Sequence, residues 1–205
     1  SLNDLGVVVD RGGASEDAEA LYREALRIRV SKLGEGHRAV GITANNLAAA
    51  LYRQRRYDEA VPFAEQALRS MRATVGPDHQ RAIIAQSNLA AMKLAAGELQ
   101  SAEQEFRDLL EGERRLQGPN HPVTAHQMNA LAMVLNQARR HEEAEGIARE
   151  AVASRREALG ESHPDVAASL TTVGDALLGQ RRHGEALELY RQALAIRRRA
   201  QPDRT

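Results

Sequence analysis

Gly34, Gly76, Gly118 and Gly160 follow one another at intervals of 42 residues, and so do His37, His79, His121 and His163. Ala18, Ala60, Ala102, Ala144 and Ala186 keep the same interval. So do Leu5, Leu47, Leu89, Leu131 and Val173, and likewise Leu26, Leu68, Leu110, Val152 and Leu194. Independent columns that share one period with no insertion mean that the chain is five copies of one unit, each folding alike. The copies span 1–33 (truncated), 34–75, 76–117, 118–159 and 160–201, together one array over 1–205.

Each unit reads as helix, turn, helix. In the second copy Ala44, Leu47, Ala48 and Leu51 fall at i, i+3, i+4 and i+7, one face of a helix. A polar break follows at Arg53-Gln54-Arg55-Arg56, and Ala60, Phe63, Ala64, Ala67, Leu68 and Met71 mark a second amphipathic helix. The helix formers Ala, Leu, Arg and Glu dominate, while aromatics are 3% and Trp is absent. Gly76 suits a left-handed helix cap. Asp78, Asn120 and Ser162 are placed to cap the following helices, and Pro122 and Pro164 to open them. Small residues at Ala48, Gly6, Ala90, Ala132 and Gly174 let the two helices of a unit approach closely. One hairpin cannot bury its apolar face, but a stack of five can. Lys93 stands where the second copy has Leu51, so the third copy is expected to be looser there or to let the lysine snorkel.

The segments Ala44-Asn45-Asn46-Leu47-Ala48, Tyr57-Asp58-Glu59-Ala60, Gln66-Ala67-Leu68 and Gly76-Pro77-Asp78-His79 resemble the tetratricopeptide repeat (TPR), specifically the 42-residue variety of kinesin light chains. The resemblance covers essentially the whole chain. It implies an all-α, right-handed superhelical solenoid of five helix-turn-helix repeats, and a protein- or peptide-binding scaffold that uses a concave groove. The abundance of Arg and Ala points to a bacterial source. The alternative is a structural or regulatory segment of a larger bacterial signalling or defence protein, touching a neighbouring domain or associating with itself. The chain starts inside a repeat, as an excised piece would.

In such arrays the first helix of each unit lines the groove. That places Asn3, Asn45, Ser87, Asn129 and Thr171 in one stripe, and Asp4, Asn46, Asn88, Ala130 and Thr172 in the adjacent one. Asn in a helix interior costs roughly 0.5 kcal/mol against Ala, and a carboxamide offers both donor and acceptor to a peptide backbone. The competing reading is hydrogen bonding between neighbouring repeats. Arg11 and Arg53 lie one to two turns further along and suit an acidic group; otherwise they are solvated charges. His126, Gln137 and Asp175 would give the later part of the groove mixed polarity. The segment bound is expected to cross the first helices of copies two to four.

Other chemistry is not encoded. Lys plus Arg and Asp plus Glu are equal at 28 each, which gives no basic excess for nucleic acid. Cys is absent. No apolar run approaches the ~20 residues that span a bilayer, and no signal peptide is visible, so no membrane is expected and a cytoplasmic location is. The four periodic histidines recur once per helix-pair width, about 10 Å, too far apart for one Zn²⁺ with ligands at about 2.1 Å. They are expected to pack or cap at the turns between repeats. No metal, cofactor or catalytic residue is assigned, and an enzyme is not expected.

Overall fold

A computed structural model of the chain describes residues 1–200. Among these there are ten helices and no strand: α1 (Leu2–Arg11), α2 (Ser15–Leu33), α3 (Arg38–Arg53), α4 (Tyr57–Val75), α5 (Gln80–Ala95), α6 (Leu99–Gln117), α7 (Pro122–Gln137), α8 (His141–Leu159), α9 (Pro164–Gly179) and α10 (His183–Ala200). The chain divides into two compact units, Ser1–Glu105 and Phe106–Thr205. Within each, helices pack in chain order, α1 on α2, α2 on α3 and so on, as a stack of hairpins requires.

Helices α3, α5, α7 and α9 begin on the periodic histidines. His37, His79 and His163 hold extended backbone, and their Nδ1 atoms accept the backbone N–H two residues on, at Ala39, Arg81 and Asp165, each at 3.1 Å. His121 does the same to Val123 at 3.3 Å. The caps are therefore the histidines, not Asp78, Asn120 or Ser162. A ring nitrogen acceptor on the residue next to the helix reaches the orphan N–H directly. Pro122 and Pro164 occupy the first helical position, where no N–H is missed.

Each odd helix closes with a bond from the sixth residue back to the first, such as Arg56 N–H to Leu51 O and Arg140 N–H to Leu135 O. That Schellman geometry needs a left-handed residue just before the donor. Gly13 and Gly97 supply it in two copies, but Arg55, Arg139 and Arg181 supply it with φ of 60–64° in the others. The even helices end differently. Gly34, Gly76 and Gly160 have φ of 79–87° but ψ of 158–161°. That region is open essentially to glycine alone, and it is not the left-handed cap expected for Gly76.

The apolar columns form the core. Leu47, Leu51, Leu89, Leu131, Leu135 and Leu177 are fully buried, as are Ala48, Ala60, Ala102, Ala132 and Ala144. Packing between the helices of a hairpin is matched in size. A Cβ on Gly6 would lie 2.7 Å from Tyr22 Cε1, and one on Gly174 would lie 2.6 Å from Tyr190 Cε1. Where the same two columns hold Ala48 with Ala64 and Ala132 with Ala148, a methyl replaces the ring edge. Leu5 and Leu194 depart from their columns: both are about half exposed.

Lys93 does not snorkel. It is 7% exposed, and its Nζ donates to Glu105 at 3.1 Å with Glu65 at 3.7 Å. Gln86 joins the same group, donating to Glu105 and accepting from Arg72, each at 3.0 Å. A buried ammonium is tolerated when carboxylates surround it.

Candidate functional site

The asparagine stripes in the first unit lie on α1, α3 and α5, and on α3 positions 42, 45, 46, 49 and 53 share one side of the helix at 3.6 residues per turn. Asn46 Nδ2 donates to Asn3 Oδ1 at 3.1 Å, and Asn88 Nδ2 donates to Asn45 Oδ1 at 3.3 Å. The donor comes each time from the later repeat and the acceptor from the earlier one. The carboxamides thus form rungs between neighbouring first helices. One N–H of each donor is used by its rung, and the Oδ1 atoms of Asn46 and Asn88 accept no bond among the described residues. Ser87 is half-buried beside them.

Asn45 and Asn46 also line a pocket of about 180 Å³ with Ile42, Arg81, Ile84 and Ala85, floored by Ala67 and Met71 of α4. Ile42 and Ile84 are exposed, by 37% and 52%, although apolar residues of that size normally seek burial. They repeat at the 42-residue interval, one turn before Asn45 and Ser87. Extending the stripe back by that turn would have found them in the sequence. Further along the same face Arg53 is ion-paired with Asp10 of the first copy. Its guanidinium is occupied by the chain's own carboxylate, whereas Arg11 is exposed and forms no ion pair among the described residues.

The second unit carries different chemistry on its first helices. Asn129 is buried, its Nδ2 reaches Met133 Sδ at 3.7 Å, and its Oδ1 has no partner. The rung is missing because Thr172, at the donor position of the next repeat, turns its hydroxyl back to Ala168 O at 3.3 Å. Helical Thr commonly bonds in this way. Asn136 donates to Thr172 O at 3.1 Å. His126 is held below the usual imidazole range, chiefly by burial of its ring and then by the charge of Arg155, with Asp165 opposing. Asp175 accepts from Tyr190 Oη at 2.7 Å, and the Tyr190 hydroxyl is pushed up to about 12 by burial and by that carboxylate. Gln137 is exposed. Among the described residues no group of three or more His, Cys, Asp or Glu could hold a metal ion, and no helix is long and apolar enough to cross a membrane.

Comparison with known proteins gives this architecture a family. Tetratricopeptide repeat models match residues 39–112, 81–157 and 124–199, and a second such model matches residues 1–39. No curated protein matches the chain. Among solved structures, the putative kinesin light chain of Podosopora anserina with nearly identical TPR-like repeats is 23% identical, with a TM-score of 0.84 over 98% of this chain and 95% of that one. BtubC (BKLC) from P. vanneervenii is 22% identical, with a TM-score of 0.78 over 100% of this chain and 81% of that one. RapI in its apo form is 15% identical, with a TM-score of 0.79 over 98% and 70%. The helix-turn-helix columns, their caps and these matches agree: the chain belongs to the tetratricopeptide repeat family, with repeats similar to those of kinesin light chains.

Proposed function

We propose that this chain is a binding scaffold without catalytic activity, and that it holds an extended peptide segment of a protein partner across α3 and α5. The observation that carries the reading is the pocket of Ile42 and Ile84, bordered by Asn45 and Asn46. Two exposed isoleucines on rigid helices offer an apolar seat for one side chain, and the carboxamides beside them keep hydrogen-bonding capacity for a backbone. The rungs to Asn3 and Asn45 hold those carboxamides in place, so little entropy is lost when a ligand docks. A chain with balanced charge and few aromatics suits protein rather than nucleic acid or a lipid surface.

The test is selection of binders from a displayed library of random peptides, followed by affinity measurement on variants. Ile84→Glu, at an exposed position, abolishes binding without altering the melting temperature. Asn46→Ala with Asn88→Ala weakens binding at least tenfold, about 1.4 kcal/mol. Unchanged affinity in both variants, with a lower melting temperature for the asparagine pair, would show that the asparagines only tie repeats together.

A further inference from the structure

Side chains of neighbouring first helices meet at one sequence offset. Asn46 meets Asn3, Arg53 meets Asp10 and Asn88 meets Asn45, each pair 43 residues apart. Ile42 and Ala85 stand in the same relation and line one pocket. The relation survives a step of seven residues, about two helical turns, since that step leads from the Asn3–Asn46 rung to the Asp10–Arg53 pair. The same step taken in the other direction from the Asn45–Asn88 rung arrives at Arg38 and Arg81.

Arg38 is the first residue of α3 and Arg81 the second of α5. Both are exposed, and neither side chain forms an ion pair or a hydrogen bond among the described residues. Arg81 borders the isoleucine pocket, and Arg38 lies one turn before Ile42 on the same side of its helix. The other polar pairs in this relation are complementary, amide with amide and guanidinium with carboxylate. This one sets two cations in neighbouring positions, where they repel. The chain supplies no relief. The first turns of α3 and α5 hold no acidic residue, and the nearest carboxylates in sequence, Glu35 and Asp78, pair with neither arginine. The helix N-termini add partial positive charge of their own. Repeat packing does not call for arginine here, because the same columns elsewhere hold Gln80, Pro122 and Pro164, and Ala39, Val123 and Asp165.

From this juxtaposition we infer that Arg38 and Arg81 together bind a phosphate monoester, carried on a serine or threonine of the peptide segment that occupies α3 and α5. The inference rests on that reading of the groove and names the chemistry of its ligand. A lone carboxylate is satisfied by one guanidinium fork. Two guanidinia match the three terminal oxygens of a phosphomonoester and its charge of about −1.5 to −2. The arginine row and the isoleucine row lie one turn apart, about 6 Å, a distance that two residues of an extended chain span. The phosphorylated residue therefore stands two positions from the apolar side chain seated against Ile42 and Ile84.

The experiment uses synthetic peptide arrays with leucine at one position, phosphoserine two positions away and random residues elsewhere, beside matched arrays with serine or glutamate in place of phosphoserine. The strongest binders are remade in all three forms, and their affinities for the full chain are measured by fluorescence anisotropy. The phosphoserine form should bind at least tenfold more tightly than the other two. Arg38→Gln and Arg81→Gln, both at exposed positions, should each remove that preference while leaving the melting temperature and the affinity for the serine form unchanged. Inorganic phosphate alone, which has no apolar anchor, should bind at least tenfold more weakly than the phosphopeptide in calorimetric titration. A phosphoserine form no tighter than serine or glutamate, or a preference that survives both substitutions, would overturn the inference and leave the peptide-binding reading standing. Inorganic phosphate binding as tightly as the phosphopeptide would assign the arginines to a free anion. Arginine-dependent sedimentation with phosphatidylcholine vesicles that contain a phosphatidylinositol phosphate, without any preference among peptides, would assign them to a lipid headgroup. Either result overturns the inference. Failure of every array, with and without phosphate, would remove the peptide-binding reading as well.

Discussion

Glu113 on α6 is 4% exposed and forms no ion pair or hydrogen bond among the described residues. Its column carries Arg29, Met71 and Arg155 in other copies, so a carboxylate stands where the chain elsewhere places a guanidinium or a thioether. The column that faces it at other junctions, through Thr43 and Ser169, holds Gln127, whose Oε1 is buried without a partner. Burial pushes the Glu113 carboxyl above its usual range, with the charge of His121 a smaller opposing effect. A carboxyl raised in the folded state binds protons that the unfolded chain has released. Stability is therefore full below the unfolded value and is lost as pH rises through the folded one. Glu113→Gln fixes the neutral form and supplies an amide donor. Relief of one buried, unsatisfied acidic group is worth about 1–3 kcal/mol, and each kcal/mol raises the melting temperature by about 2–4 °C in a chain of this size. The assay is thermal unfolding of both proteins by circular dichroism from about pH 4 to pH 8, across the carboxyl range. The variant should gain over the wild type as pH rises, with most of the gain absent at the acid end. A variant equal to or less stable than the wild type at neutral pH, or a gain that does not depend on pH, refutes the reasoning.

Two further outcomes test the turns. Arg55→Gly, Arg139→Gly and Arg181→Gly relieve a left-handed backbone that costs a side-chain-bearing residue about 1–2 kcal/mol. Against about 0.5–1 kcal/mol of glycine chain entropy, each should stabilise by roughly 0.5–1 kcal/mol in denaturant titrations; a loss in all three would contradict the cap geometry. His79→Ala should cost about 1 kcal/mol, typical of a lost N-cap, and His79→Ser should recover most of it; equal losses for Ala and Ser would show that the ring contributes by packing instead.

The period and the apolar columns were enough to place the ten helices, since a stack of identical hairpins admits few other arrangements of Leu47, Leu51, Ala60 and Leu68. The histidine caps were legible only as a choice between packing and capping. Asp78, Asn120 and Ser162 are stronger capping types, but each sits one residue too early for the first turn. The left-handed arginines gave no signal, because only two of the five copies carry glycine there. In the candidate site, Asn45, Asn46 and Asn88 were placed on the right helices, and so were the rungs between repeats as the competing reading. That Asp10 would occupy Arg53 depends on side-chain reach across one repeat junction. Helix periodicity does not encode that distance.

The clasp of Glu19 by Gln54 and Arg56 recurs, three periods on, as Glu145 with Gln180 and Arg182, and Arg29 with Thr43 recurs at the same offset as Arg155 with Ser169. A deletion or insertion of whole 42-residue periods would keep such a signature in phase. Unequal crossing-over between the codons of Glu19 and Glu145 would delete three whole repeats and set Glu19 opposite Gln180 and Arg182, its natural kind of partner. The reciprocal product would gain three repeats by the same join. Such a step would keep the clasp at the new join but would set Gly6 against Ala148 in place of Tyr22, so a change of length at this point has to be followed by repacking inside one hairpin.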